Sequence, residues 1–199
     1  MNSFPEILTD ENAKQRHPDF KKALFDLNAK DITAKDLGFL IHIYTTTKEI
    51  SYRNRILKLL YNHKDPELQL FFEKAYKKER YHDMKVYALR GLAQFAEEKE
   101  IIMRIDKLKI SLAKTETTTP YNYQEYELLR GKNALPFLVE KYNYVSFKEF
   151  LAQVNEQYER MPDAFKGHIT TDEHGEIVPL RASSESTKMI RDFFDGMKK

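Results

Sequence analysis

An internal repeat with a period near 30 residues constrains this chain more than any other feature. Two stretches align at a spacing of 32: Ile56, Leu57 and Leu60 match Ala88, Leu89 and Leu92, Arg55 falls opposite Tyr87, and Leu70 matches Ile102. A unit recurring at such a period cannot bury its own apolar face and has to pack against a neighbour. Apolar residues within each stretch return at three and four positions, the spacing that lines one side of an α-helix. The expected fold is therefore all-α: a short solenoid of helical hairpins, with a small C-terminal β-hairpin and a capping helix.

The hairpins are read in chain order. Residues 1–17 form an N-terminal arm and residues 18–161 the helical-repeat domain. Residues 162–199 form the β-hairpin and capping helix packed on that same domain. Ala23, Leu24 and Leu27 mark the first helix, and Thr33-Ala34-Lys35-Asp36 resembles a capping box opening the next, with Leu37, Leu40, Ile41 and Tyr44 as its buried stripe. Ser51 is the expected cap of the following helix (Ile56, Leu57, Leu59, Leu60). Asp65-Pro66-Glu67 then combines a capping carboxylate, a proline that needs no amide hydrogen bond and an acid suited to the positive end of the dipole. Leu68, Phe71, Phe72 and Ala75 form the next face. Val86, Leu89, Leu92 and Ala93, then Ile101, Ile102, Ile105, Leu108 and Leu112, form the third hairpin. A Thr-rich connector over 114–120 leads to a fourth hairpin, in which Gly131 stops one helix and Asn133 caps the next, with Pro136 in its first turn. Ser146-Phe147-Lys148-Glu149 reads as a full capping box opening a long helix. His168 to Thr171 and Glu176 to Pro179 alternate as strands around a turn at Gly175, and Met189, Ile190, Phe193 and Phe194 mark the final helix.

Paired helices of this length, and above all the segment Val86-Tyr87-Ala88-Leu89-Arg90-Gly91-Leu92-Ala93, resemble the HEAT and armadillo class of helical repeats over about residues 18–143. The resemblance is one of pattern. It implies a surface that binds another macromolecule, because such families mostly bind proteins and some bind nucleic acid. One helical-repeat group excises alkylated bases with aromatic residues, notably Trp, on its DNA-facing surface; this chain has no Trp, which counts against that branch.

Composition narrows the chemistry. No cysteine is present, so disulfides, thiolate metal sites and a cysteine nucleophile are excluded. Only 6 glycines are present, and no Gly-x-Gly-x-x-Gly or Gly-x-Ser-x-Gly pattern occurs, so no cofactor is expected. The net charge of +2 implies neither nucleic acid nor membrane, although residues 51–115 carry 15 basic against 9 acidic side chains. The start lacks the basic and apolar regions of a signal peptide, and the apolar run from Phe39 to Tyr44 is too short to span a bilayer, so a cytoplasmic location is the default expectation.

Four groups of residues carry candidate sites. Tyr121, Tyr123, Tyr126, Tyr142 and Tyr144, beside Phe147, offer large rigid faces with polar tips, which suits an exposed protein-binding surface. Lys74, Lys77, Lys78, Arg80 and Lys85, extended by Lys107, Lys109 and Lys114, would form a phosphate-tracking edge if aligned; as a plain alternative, they solubilise helix ends. The adjacent His82-Asp83 resembles the dipeptide of HD-type metal-dependent phosphohydrolases, with His42 or His63 and Asp106 as further ligands; a solvated helix start explains it more simply. His168 and His174 flank the turn of the β-hairpin, where an exposed polar turn accounts for them without a metal. The expected function is non-catalytic recognition of a protein partner, as a bacterial-type adaptor, inhibitor or immunity-like protein. The alternative is a DNA- or RNA-binding helical repeat using the basic segment, and the third reading is the HD-type phosphohydrolase.

Overall fold

A computed structural model describes residues 4–14, 17–115, 123–171 and 177–198. The chain is mostly helical, as its apolar periodicity requires, and the strands among the described residues form one two-stranded antiparallel ribbon. It divides into two compact units, one comprising residues 1–79 and 87–95 and the other residues 80–86 and 96–199. These units do not follow the boundaries read at residues 17 and 161. None of the described helices is long and apolar enough to cross a membrane.

The first unit contains α1 (Asp10–Lys14), α2 (Pro18–Asp26), α3 (Ala34–Thr46), α4 (Ile50–Leu60) and α5 (Glu67–Lys78), together with α6 (His82–Leu92) from Tyr87 onward. Two of the helix starts follow the local chemistry read from the sequence. The Asp36 carboxylate accepts from the Thr33 amide at 2.8 Å and from its hydroxyl at 2.7 Å. Asp65 accepts from the Glu67 amide at 3.0 Å, satisfying one of the orphan donors of the first turn of α5. A third start differs: α4 begins at Ile50, ahead of Ser51, and Glu49 precedes it without a side-chain cap.

The six matched apolar positions of the repeat are all core residues, with Ile56, Leu57, Leu60, Ala88 and Leu89 at 0% exposure and Leu92 at 1%. Burying an aliphatic side chain of leucine size stabilises by roughly 1.5–3 kcal/mol, so each leucine and isoleucine among these positions contributes to the unit's cohesion. The downstream match has the opposite meaning. Leu70 is 57% and Ile102 40% exposed, so the repeat there marks an outward position. Arg55 ties α4 to α2 by donating to the carbonyls of Leu24, Phe25 and Leu27 at 3.3, 2.6 and 2.5 Å, which satisfies the open end of α2. Glu79 is buried at the end of α5, where its carboxylate accepts from Arg53 Nε at 2.9 Å and from the Tyr44 hydroxyl at 2.6 Å. Burial, then the Glu79 hydrogen bond and charge, raise the Tyr44 phenol far above its ordinary range.

The second unit contains the first turn of α6, α7 (Glu98–Ala113), α8 (Tyr123–Arg130), α9 (Leu135–Tyr142), α10 (Val145–Glu159), β1 (Ile169–Thr171), β2 (Ile177–Pro179) and α11 (Ser183–Gly196). α10 is its axis and packs against α7, α8 and α9. Leu129, Leu135, Leu138, Phe147, Phe150, Val154 and Phe165 are at 0% exposure around it. Asn143 takes a left-handed conformation (φ 52°) at the end of α9, which lets α10 start two residues later. The ribbon pairs Ile169 with Pro179, Thr170 with Val178 and Thr171 with Ile177. α11 docks through Phe193 and Phe194, whose rings lie 5.2 and 6.2 Å from that of Phe165.

One expected cap does not form. α10 begins at Val145, which places Ser146 inside the first turn and not ahead of it. The Ser146 amide donates to Glu98 Oε1 of α7 at 3.0 Å, while Glu149 pairs with Lys109 at 3.0 Å. The reciprocal pair that a capping box needs is thus replaced by two partners from α7, which sequence proximity cannot reveal.

Candidate functional site

Of the five tyrosines read as an exposed contact surface, Tyr123 and Tyr126 are core residues, 6% and 0% exposed. α8 starts at Tyr123, so Tyr123, Tyr126 and Leu129 fall three apart on its buried face. The Tyr126 hydroxyl donates to Gln157 Oε1 at 2.9 Å, and burial pushes its phenol up to about 12. Tyr123 meets the His168 ring edge-on at 5.2 Å. Tyr142 and Tyr144 are half-buried neighbours 5.7 Å apart, and Tyr144 stacks on Phe147 and donates to the Ala96 carbonyl at 2.9 Å. Burial, reinforced by Glu98 and Glu97, raises the Tyr144 phenol. Tyr121 lies outside the described residues.

The basic residues divide between the units. Lys74, Lys77 and Lys78 are all exposed on α5, and Lys78 donates to the carbonyls of Tyr44 and Thr45 at 3.2 Å each, closing the end of α3. Loss of solvation, then the nearby Arg53, lower its pKa. Arg80 and Lys85 belong to the second unit, Arg80 exposed and Lys85 half-buried. Lys107 is exposed, and Lys109 is engaged by Glu149.

His82 and Asp83 are not a solvated helix start: they are 8% and 7% exposed. His82 Nε2 lies 3.0 Å from Ser111 Oγ on α7, and its Nδ1 lies 3.0 Å from Glu125 Oε2 on α8. This is the order of a nucleophile, base and orienting carboxylate, but the geometry is not that of a catalytic triad. Glu125 lies off the direction in which Nδ1 could make a hydrogen bond. Ser111 sits near the end of α7, where the helix dipole opposes a developing alkoxide. The three side chains act as a clasp between α6, α7 and α8. Two of the further ligands read for a metal already have partners. Asp106 is exposed beside Lys109 at 3.6 Å, and His42 Nε2 lies 2.9 Å from Asp10. Among the described residues no group of three or more His, Asp or Glu side chains converges as a metal site would need. His168 Nδ1 lies 2.6 Å from Ser186 Oγ, joining the residue ahead of β1 to α11, while His174 lies outside the described residues.

A different surface stands out. α7 is apolar on two sides: Ile101, Ile105, Leu108 and Leu112 are buried, whereas Ile102, Met103 and Ile110 are 40%, 66% and 57% exposed. Steps of about 100° per residue bring Ile102, Met103, Asp106 and Ile110 to one outward side. α10 runs beside that face. Glu98 holds the Ser146 amide at one end, and farther along Lys109 meets Glu149 while Gln153 Nε2 donates to the Lys109 carbonyl at 3.1 Å. Contacts in the same order along both helices mean that the two run in the same direction. They also place Val145, 57% exposed, at the end of α10 nearest Ile102. The sequence signal for this surface was the run Ile101-Ile102-Met103, since three successive apolar residues cannot share one helix face.

Comparison with protein-family models, with curated proteins and with solved structures finds no match for this chain.

Proposed function

We propose that this chain is a non-catalytic recognition protein, of the adaptor, inhibitor or immunity-like kind, that binds a protein partner through the α7–α10 face of its second unit. In this reading the helical hairpins are HEAT-like and serve as a stiff scaffold. One observation carries the proposal: Ile102, Met103, Ile110 and Val145 are all large, apolar and at least 40% exposed on one two-helix surface. Single exposed apolar side chains are ordinary, but a group of them rimmed by charge is the composition of a protein interface. Lys109 and Glu149 lie at its edge in an ion pair, while Asp106 lies within it, between Ile102 and Ile110, and faces the Lys109 ammonium. Helices of fixed spacing lose little ordering entropy on binding, which favours affinity at a small surface. The nucleic-acid reading has less support, because the ammonium of Lys78 is already engaged by the carbonyls of Tyr44 and Thr45.

The test compares the wild-type chain with Met103→Lys and Ile110→Asp in nuclease-treated extract, followed by mass spectrometry and a binding titration with the protein retained. Both variants should weaken that interaction by about tenfold or more, as central apolar contacts do, and leave unfolding within about 0.5 kcal/mol of wild type. Unchanged binding by both variants, or binding lost on nuclease treatment, would overturn the proposal.

A further inference from the structure

A polar cleft of about 400 Å³ opens between α8, α9 and α10, on the side of α10 opposite α7. Its wall carries Glu127, Arg130, Lys132, Pro136, Leu151 and Asn155. Arg130 is the organising group. Its guanidinium carbon lies 3.6 Å from the centre of the Tyr158 ring, and its Nε donates to Asn155 Oδ1 at 3.0 Å. Stacking fixes the plane of the guanidinium and the Asn155 bond fixes its rotation. No described side chain or carbonyl takes the two terminal nitrogens, so the edge that binds carboxylates in two-pronged fashion is left open on a residue that lines the cleft. Lys132, exposed and in no ion pair among the described residues, adds a second positive charge.

Glu127 is already committed. Its Oε1 accepts from the Gly167 amide at 3.1 Å, and the same amide donates to the Tyr158 hydroxyl oxygen at 2.8 Å; burial, then the neighbouring Glu127, raise that phenol. Gly167 reaches this position with φ +61°, a conformation that side chains other than glycine rarely adopt. Tyr158 is thereby held rigid beneath Arg130. Two cations and one carboxylate leave the cleft with one net positive charge, which suits a monoanion better than a dianionic phosphate. Pro136 and Leu151 supply an apolar wall that a bare inorganic ion would not use.

We infer that this cleft binds a carboxylate carried on a small apolar body, the carboxylate seated on the terminal nitrogens of Arg130 and the apolar part against Pro136 and Leu151. The site is separate from the α7–α10 face and does not depend on it.

The probe is N-acetyl-leucine, titrated into the full chain and followed by amide and Arg Nε–H chemical shifts. Saturable shifts at Arg130 and Gly131 are expected, with N-acetyl-leucinamide and inorganic phosphate each binding about tenfold more weakly or less. Arg130→Gln should lose about tenfold or more in affinity. Lys132→Gln, at an exposed position whose loss cannot unfold the chain, should lose several-fold. An acetylated peptide ending in leucine distinguishes the source of the carboxylate. Tighter binding than the single residue assigns the cleft to a chain terminus, and equal or weaker binding assigns it to a free small acid; either supports the site. The inference is overturned if neither carboxylate binds, if the amide or phosphate binds as tightly as the acid, or if both variants bind unchanged.

Discussion

Gly91 lies inside α6, where alanine is intrinsically better by about 1 kcal/mol, so helix propensity alone says that Gly91→Ala stabilises the chain. The packing says the opposite. A methyl group built on Gly91 would come closer than 3.0 Å to three carbons of the Phe72 ring. Phe72 is at 0% exposure, so the ring cannot swing into solvent, and its edge points at the Gly91 backbone. Overpacking a core costs about 1–3 kcal/mol, and the upper part of that range applies where the obstructing group is a fully buried ring. Subtracting the propensity gain leaves a net loss of about 2 kcal/mol. With a slope of about 2 kcal/mol per molar of urea, the midpoint should fall by about 1 M in urea unfolding followed by far-ultraviolet circular dichroism. A companion variant removes the obstruction. Phe72→Leu should cost about 1–2 kcal/mol alone, yet the double variant should be less destabilised than the two losses added, by 1 kcal/mol or more, because the methyl then has room. A neutral or stabilising Gly91→Ala on the Phe72 background, or strict additivity of the pair, would refute the close approach of α5 and α6 on which the reasoning stands.

Two further outcomes follow from particular hydrogen bonds. Because the Tyr44 phenol is raised in the folded chain, only the unfolded chain ionises it just above pH 10, so its stabilisation is intact below that pH and lost as pH rises, at about 1.4 kcal/mol per pH unit. Tyr44→Phe forfeits the hydrogen bond to buried Glu79, roughly 1.5–3 kcal/mol at neutral pH, and the gap to wild type should narrow in thermal unfolding between pH 10 and 11; a constant gap would sink the assignment. Ser146→Ala separates a true cap from a first-turn residue. Loss of a capping serine costs about 1 kcal/mol, but the Ser146 hydroxyl is buried with no hydrogen-bond partner among the described residues, so its removal should be neutral or stabilising in denaturant titration.

What the sequence determined by itself was local: where helices lie, which of their sides are apolar, and the starts at Thr33 and Asp65, whose partners stand two or three residues away. Periodicity and capping act within one or two turns, and so they can be read along the chain. The candidate surface was only half legible. The run Ile101-Ile102-Met103 announces a helix with more apolar residues than one face can hold, yet nothing in it says which residue stays outside. Tyr123 and Tyr126 went into the core, Lys78 turned back to close α3, and His82 became a clasp on Ser111 and Glu125. Glu98 took the Ser146 amide across 48 positions of sequence. Each of these outcomes depends on which helix lies alongside which, and that is decided by the summed burial of whole faces and not by any local pattern. Only the tertiary structure could therefore expose Ile102, Met103 and Ile110 beside Val145, and stack Arg130 on Tyr158 with its outer edge left open.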